Sequence, residues 1–366
     1  MAGPAEVKQG EWFAPDRRSV ASFLQKLMSK WGPAKGPARV YVGAFGKHPG
    51  WDDHIDDLGL ETDRLVELKR LLYLHGVAGN IDSGAWERLE QQQQAVPFHH
   101  VFLWSPGGNG GDIVAGRMWS SRDGKGRSRY PMVVAAQCSE LPLEWVLTQV
   151  LPQLERLEAA CTATAYAAEV RAIIDRARVS LRGAVSAPAP PPLPPDPAAT
   201  AAAPAGQEPV PVAYLAARPE MGEGRKGLVS VVYRVEEEME PYVRDGFRVG
   251  RSDPHRLAIR PGHLRVPACA DTAGRALRVW VGFLTALLDP ATPMMLFFHE
   301  GMPSGQAWVD LIAGEPTVSV LYAIRASPQA LPLTTQIPYT IDEQVVRRAE
   351  QFIASQGGNG RPQPAP

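Results

Sequence analysis

The sequence predicts an α+β protein with a mainly antiparallel sheet flanked by helices, a Pro/Ala-rich linker and a second α/β region. Three observations lead to this fold class. Apolar, β-branched segments follow one another at short intervals in the first half of the chain. Segments with apolar residues at helical spacing lie around this run, and the composition then shifts abruptly to proline and alanine. Strands in a run with helices before and after are typical of an α+β layer.

The N-terminal segment, residues 1–38, carries an amphipathic helix pattern. Apolar side chains recur at helical spacing over residues 20–31, and Ser19 and Gly32 are suitable residues to begin and end a helix. The apolar face of such a helix normally packs on the protein's own core, and the alternative is a docking element for a partner.

Residues 39–182 form the predicted main domain. A helix is expected between the first and second strands, because the leucines of ETDRLVELKRLLYLHG share one face. After the fourth strand, residues 143–181 are strongly helical, and we expect a kink or break at Pro152 because proline cannot donate a backbone hydrogen bond. The four strand patterns are ARVYVGAFG, FHHVFLWSP, DIVAGRMWSS and RYPMVVAAQC.

Residues 183–212 are rich in proline and alanine and cannot bury a core, so we expect a disordered tether. The chain becomes globular again over residues 213–356, and the tail, 357–366, is expected to be loose. In this second region we predict strands at GLVSVVYRVEE, HRLAIRPG, MMLFFHEG and TVSVLYAIRA, and helices at TAGRALRVWVGFLTALL and IDEQVVRRAEQFIAS.

Composition excludes several classes of partner. Lys and Arg number 38 against 39 Asp and Glu, which provides no electrostatic reason to propose nucleic acid. The longest apolar tract is interrupted by Asp289 and Pro290, so no membrane insertion is expected. No apolar leader is visible, and three distant cysteines fit a reducing compartment. We therefore predict a cytoplasmic protein.

An acidic segment, HPGWDDHIDD at residues 48–57, follows the first strand. Its carboxylates and histidines are metal-ligand types, but their spacing matches neither an H-E-x-x-H helix nor an EF-hand loop. We therefore predict no metal and no cofactor. The alternative is a metal-dependent hydrolase or phosphatase-like enzyme that uses Asp52, Asp53, His54 and Asp56.

Two glycine-containing loops lie between strand patterns. SPGGNGGD, residues 105–112, lacks the G-K-[ST] of a phosphate-binding loop and is followed by a strand, so a wide hairpin turn is predicted. SSRDGKGRSRYP is predicted to be a second, basic hairpin loop. No nucleophile elbow or C-x-x-C motif is present, so no catalytic residue is predicted and the chain is not expected to be an enzyme. The predicted turn glycines are Gly46, Gly107 and Gly110.

Taken in order, these loops form a pattern: F-G-K-x-P after a strand, an aspartate turn, P-G-x-x-G, A-G, S-x-D-x-x-G-R, and an aromatic residue before proline. This order resembles the TagF/ImpM family associated with bacterial type VI secretion, clearly over residues 40–137 and more faintly over 294–314, where a strand, a turn and a helix are implied. The chain departs from the family at Asp52, where glycine is usual, and by one extra residue before Tyr130. The matching residues are Phe45, Gly46, Lys47, Pro49, Asp53, Pro106, Gly107, Gly110, Ala115, Gly116, Ser121, Asp123, Gly126, Arg127, Tyr130 and Pro131.

The resemblance implies a cytoplasmic accessory protein that represses assembly of the secretion apparatus by binding a forkhead-associated scaffold protein, without catalysis. A sheet could bring the loops that carry Lys47, Asp53, Asp123 and Arg127 together at one end, as a polar recognition patch. Alternatively, Asp53 and Asp123 only brace turns and cap backbone amides. The candidate partner-binding or loop-bracing residues are Lys47, Asp52, Asp53, His54, Ser121, Asp123, Gly126 and Arg127.

Overall fold

A computed structural model describes eight stretches of the chain. The predicted N-terminal helix, the strand HRLAIRPG before Gly262, Gly107, Gly110, most of the Pro/Ala-rich segment and the tail lie outside them. The described residues are 37–106, 111–186, 211–222, 225–239, 262–288, 292–300, 306–314 and 316–357.

A seven-stranded sheet runs through the described part of the molecule, and each neighbouring pair of strands is antiparallel. The predicted α+β class with an antiparallel sheet is confirmed. The strand order is β1-β4-β3-β2-β6-β7-β5. The strands are β1 Arg39–Gly46, β2 His99–Ser105, β3 Asp112–Ser120, β4 Pro131–Ser139, β5 His263–Pro267, β6 Met294–His299 and β7 Trp308–Ala313.

Strands from both sides of the Pro/Ala-rich segment share this sheet. The junction is the pairing of β2 with β6, in which Phe102 lies opposite Phe297 and His100 lies opposite His299. β5, β6 and β7 therefore extend the sheet that β1 to β4 begin. Because the pairing register fixes which side chains face each side, it also aligns the apolar faces of the two segments.

Helices cover both faces of the sheet, so the strands are buried on each side. Side chains on one face pack against α5, α6 and α9, and those on the other pack against α1, α3 and α10. The α-helices are α1 Asp63–Lys69, α2 Gly79–Asp82, α3 Ala85–Gln91, α4 Leu143–Trp145, α5 Leu151–Thr162, α6 Ala167–Val185, α7 Pro211–Ala216, α8 Lys226–Tyr233, α9 Ala273–Leu287, α10 Val318–Leu321 and α11 Glu343–Gly357. Wider π-helical turns span Arg70–Ala78, Val146–Val150 and Arg234–Met239, and 3-10 turns span Pro219–Met221, Tyr322–Arg325 and Thr334–Gln336.

Alternate residues along each strand enter different cores, which explains why the strand patterns are almost continuously apolar. In β1, Val42 and Ala44 face α6, whereas Phe45 faces the opposite core and contacts Tyr73 with ring centroids 5.7 Å apart. In the described part of the chain, no helix is both long enough and apolar enough to cross a bilayer.

Two predicted strands of the second region are helical. GLVSVVYRVEE forms α8 and the following π-helical turn, with Leu228, Val231, Val232 and Val235 buried. This spacing has the helical period, so tertiary burial of one face prevails over the preference of valine for strands. TVSVLYAIRA likewise forms α10 and a 3-10 turn, and the hydroxyl of Thr317 accepts from the Val320 amide at the helix start.

Other differences concern helix ends and turns. The long helical segment is interrupted at residues 163–166 rather than at Pro152, which lies in the first turn of α5 after a π-helical turn. The backbone amides in the first turn of a helix have no hydrogen-bond partner within that helix, so a proline at this position costs no helical hydrogen bond. The residues expected to form a helix after the later strand form β7 instead, and α3 was not predicted.

Candidate functional site

One end of the sheet collects the loops that carry the sequence motifs. β1 ends at Gly46, opposite Met132 at the start of β4, and β3 ends at Ser120, opposite Pro131. Because these strands are antiparallel neighbours, the loop after β1 and the loop between β3 and β4 emerge side by side.

The loop after β1, residues 47–62, folds back along the free edge of that strand. The Lys47 amide donates to the Pro131 carbonyl at 3.2 Å, which continues the β1–β4 ladder by one residue. The Ile55 amide donates to the Gly46 carbonyl at 2.8 Å. Ala44 and Leu58 exchange two backbone hydrogen bonds, of 2.8 and 3.1 Å. These bonds cover part of an otherwise exposed strand edge and set the position of the acidic segment.

The loop between β3 and β4 is built around the buried carboxylate of Asp123. One oxygen, Oδ1, accepts from the backbone amides of Lys125 at 3.0 Å and Arg127 at 2.9 Å. The Asp123 amide donates to the Arg127 carbonyl at 3.1 Å, and Gly126 supplies the positive φ of +82° that closes the turn. Asp123 therefore braces its own loop.

The same carboxylate also joins the two loops. Its Oδ2 accepts from Lys47 Nζ at 2.6 Å and from Arg127 Nε at 2.7 Å. Arg127 Nη2 donates in turn to Asp53 Oδ1 at 3.0 Å and to the Asp52 carbonyl at 2.9 Å. Lys47 Nζ lies 3.7 Å from Asp53 Oδ1. We call Lys47, Asp53, Asp123 and Arg127 the charged cluster.

The charged cluster has a buried half and an exposed half. The side chains of Asp123 and Lys47 are 0% and 4% exposed, whereas those of Asp53 and Arg127 are 63% and 52% exposed. Burial alone would raise the pKa of Asp123, but hydrogen bonds from Lys47 and Arg127 hold that pKa well below its usual range. The Asp123 carboxyl therefore keeps its negative charge at neutral pH, and the exposed pair, Asp53 and Arg127, presents one charge of each sign to solvent.

His54 covers the aromatic side of the cluster. Its ring meets Tyr73 and Tyr130 edge-on, with centroids 5.5 and 5.2 Å apart, and its Nδ1 lies 3.1 Å from Asp53 Oδ1. Partial burial lowers the pKa of His54, although Asp53 opposes this shift. The Tyr73 hydroxyl is buried without a hydrogen-bond partner among the described residues, and burial raises its pKa. The His54 imidazole therefore packs against the rings of Tyr73 and Tyr130 and places a polar group beside Asp53.

The carboxylates of the acidic segment diverge instead of converging. Asp52 is 4.0 Å from Lys125 Nζ, Asp56 binds Arg171, and Asp57 binds Lys69. Each of these carboxylates thus faces its own cation. Among the residues that the structure describes, no group of three His, Cys, Asp or Glu side chains could hold a metal ion.

The remaining predicted residues lie around this network. Ser121 is half-buried at the start of the β3–β4 loop. Gly46 has a φ of +113°, and a Cβ built there would lie 2.2 Å from the Pro131 carbonyl oxygen. Only glycine fits this place, where the backbone turns out of β1 towards Lys47.

Gly46→Ala is expected to destabilise the protein by at least about 2 kcal/mol, because the backbone must leave its positive φ and move away from Pro131. Urea unfolding followed by circular dichroism measures this change. The matched control is Gly183→Ala in α6, where nothing lies within 4 Å of an added Cβ, and a gain of up to about 1 kcal/mol is expected. Equal stability changes in the two variants would contradict the close approach at Gly46.

A second charged group, which the sequence analysis missed, lies near the same end of the sheet. Arg117 projects from β3 and binds the carboxylates of Glu158 and Glu300. His99 Nε2 lies 3.2 Å from Glu300 Oε2, and its Nδ1 lies 3.0 Å from the Glu300 carbonyl. The available signal was an arginine in the middle of an apolar strand pattern, which requires a buried partner.

A third group, also missed, is fully buried between β5 and β7. Arg265 donates Nε to Asp310 Oδ1 at 2.7 Å and Nη2 to Oδ2 at 2.9 Å. The same two oxygens accept from His263 Nε2 at 2.7 Å and from Trp308 Nε1 at 3.1 Å. The sequence signal was the lone aspartate in the strand WVDLIA. This cluster is structural, because the other guanidinium hydrogens bind the carbonyls of Ala323, Ala326 and Leu331 and so attach that loop to the sheet.

Comparisons with known proteins give a similarity to a solved structure. No family model matches the chain, and no curated protein matches it. Among solved structures, the crystal structure of PA0076 from Pseudomonas aeruginosa PAO1 is similar at 25% sequence identity and a TM-score of 0.28. The matched part covers 42% of this chain and 66% of that one.

Proposed function

We propose that this protein is a non-catalytic, cytoplasmic accessory protein of a bacterial type VI secretion system. It acts after translation by binding another protein, and this binding represses assembly of the apparatus. The observation that carries the proposal is the charged cluster. Two sequence motifs that resemble the TagF/ImpM family, 76 residues apart at Lys47 and Asp123, meet there in one hydrogen-bonded network.

The charges in the cluster favour recognition over catalysis. Asp123 accepts four hydrogen bonds and is enclosed, so it has no free lone pair directed at a substrate. The buried pair instead holds both loops rigid. A rigid loop binds at a smaller entropic cost than a mobile one.

The exposed half of the cluster suits a partner with charges of both signs. Asp53 and Arg127 lie 3.0 Å apart at the surface, with Asp52 and His54 beside them. A basic and an acidic side chain on a partner would form ion pairs with Asp53 and Arg127, and these charges would then be partly removed from water. The partner that the sequence resemblance implies is a forkhead-associated scaffold protein of the same secretion system.

Asp53→Asn and Arg127→Gln are each expected to weaken binding to that scaffold protein at least about tenfold, because each removes one charge from the contact surface. Calorimetry with both purified proteins measures the affinity, and thermal unfolding monitors the fold. The melting temperature of Asp53→Asn should stay within about 3 °C of the wild type, because Asp53 is largely exposed. Arg127→Gln should melt somewhat lower, because it also removes a hydrogen bond to the buried Asp123 carboxylate.

Matched controls change the same charges elsewhere on the surface. Glu155→Gln and Arg176→Gln alter exposed residues of α5 and α6 and should leave the affinity unchanged. In cells, Asp53→Asn should increase the number of assembled secretion machines seen by fluorescence microscopy. Unchanged affinity in both cluster variants would refute the proposed surface, and a stoichiometric metal in the protein purified from its host would favour the hydrolase alternative.

A further inference from the structure

The outer surface of the β3–β4 loop carries three exposed cations, Arg122, Lys125 and Arg129, which we call the basic rim. Asp123 is the acidic residue of this loop, and its charge is buried against Lys47 and Arg127. The basic rim therefore places three exposed positive charges on a loop whose carboxylate, that of Asp123, is buried.

The charge of the basic rim is largely uncompensated. Lys125 Nζ approaches Asp52 at 4.0 Å, and that carboxylate is 86% exposed, so water screens the pair strongly. Within the ranges that the structure describes, no acidic group lies within 4 Å of the Arg122 or Arg129 guanidinium. These cations are therefore available to an anionic ligand.

The loop that carries the basic rim is ordered before any ligand arrives. The bonds of Asp123 to Lys125 and Arg127 hold it from within, and the Gly124 amide donates to the Trp51 carbonyl at 2.7 Å. The loop backbone therefore loses little freedom on binding, although the long side chains still lose rotamer entropy.

We infer that the basic rim binds an acidic segment of a partner polypeptide. This inference rests on the proposed function and adds to it the chemistry of the partner. The charge pattern favours a polypeptide over nucleic acid, because Asp52 beside Lys125 would repel a continuous phosphate backbone. Carboxylates spaced along a peptide can reach the three cations and avoid that aspartate. Exposed Gly126, where nothing lies within 4 Å of an added Cβ, and exposed Ser128 leave room for a backbone to approach.

The test uses fluorescence anisotropy of a labelled oligoglutamate peptide added to the full chain. Arg122→Gln, Lys125→Gln and Arg129→Gln are combined in one variant, which is expected to bind the peptide about tenfold more weakly than the wild type. The matched control combines Arg176→Gln, Lys226→Gln and Arg347→Gln, which remove the same charge from other exposed positions and should have little effect. An oligoglutamine peptide should not bind, and raising NaCl from about 50 to about 300 mM should weaken oligoglutamate binding.

Three outcomes would overturn the inference. The first is an equal loss of affinity in the control variant, since binding would then follow net charge alone. The second is tighter binding of oligothymidine or of vesicles with anionic lipid than of oligoglutamate. The third is scaffold-protein binding that survives in the rim variant. This third result would leave the proposed function intact, because that function depends on Asp53 and Arg127 and is tested separately by their own variants.

Discussion

Asp310→Asn is expected to destabilise the protein by about 3–5 kcal/mol, which lowers the melting temperature by roughly 10 °C. Asp310 and Arg265 are each 1% exposed, and the carboxylate is the only anion that the guanidinium contacts among the described residues. Without that anion, the positive charge of Arg265 stays buried and unbalanced. Thermal and urea unfolding of the intact chain measure the loss.

Two companion variants test this explanation. Arg275→Gln removes an ion pair, at 3.2 Å, between Arg275 of α9 and the exposed Asp271 just before that helix, and should cost less than about 0.5 kcal/mol. Arg265→Met also leaves the carbonyls of Ala323, Ala326 and Leu331 without a donor, so it destabilises the protein on its own. Combined with Asp310→Asn, it should cost less than the sum of the two single variants, because the unbalanced charge is then absent. Costs that simply add would show that lost contacts, and not the buried charge, cause the effect of Asp310→Asn.

The protein is expected to lose stability as the pH falls from about 6.5 to about 4, which is a second large effect. Burial lowers the pKa of His100, His263 and His299, and that of His299 falls to about 4. Asp310 raises each of these pKa values and Arg265 lowers them, but burial dominates. The folded protein thus keeps these imidazoles neutral.

The sign of the effect follows from proton binding. The unfolded chain protonates His100, His263 and His299 near pH 6.5, whereas the folded chain binds these protons only at lower pH, so acid favours the unfolded state. The stability that these histidines contribute is fully present above their pKa in the unfolded chain, and it declines as the pH falls from about 6.5 to about 4. For His299 alone, the shift corresponds to about 3 kcal/mol. Asp123 and Asp310 keep their charge in this window, because their pKa values lie well below it.

His299→Phe tests the contribution of one imidazole. His299 stacks on Trp308 with ring planes 8° apart and centroids separated by 4.3 Å, and phenylalanine can keep this stacking. Urea unfolding at several pH values should give a weaker dependence on pH than in the wild type. His54→Phe, at a partly exposed histidine, is the comparison and should change the slope less. The same slope in His299→Phe and in the wild type would exclude His299 as a source of the acid sensitivity.

Much of the fold followed from local patterns. The first four strands, β6, α9 and α11 appear where apolar spacing placed them, because their side chains face a core with a regular period. The strand predicted at GLVSVVYRVEE was wrong because the prediction rested on local spacing as well. Its valines satisfy the helical period and the strand preference together, and only the burial of Leu228, Val231 and Val235 on one face decides between them.

The candidate site was predictable as a set of residue types and not as a geometry. Lys47, Asp53, Asp123 and Arg127 were candidates, and the structure places them within one network. The buried Arg265–Asp310 pair was missed, because each member is a single charge within an apolar strand and its partner lies 45 residues away. No local pattern records such a pairing.

The sequence by itself determined most of the elements, the turns and the chemistry available at their ends. Neighbouring residues suffice for this where the spacing fits only one period, and glycines such as Gly46 and Gly126 mark positive φ. The tertiary structure alone decided which strands pair and which charges meet. The β2–β6 pairing and the Lys47–Asp123 contact join residues far apart in the chain, and their free energy depends on register and burial in the folded molecule.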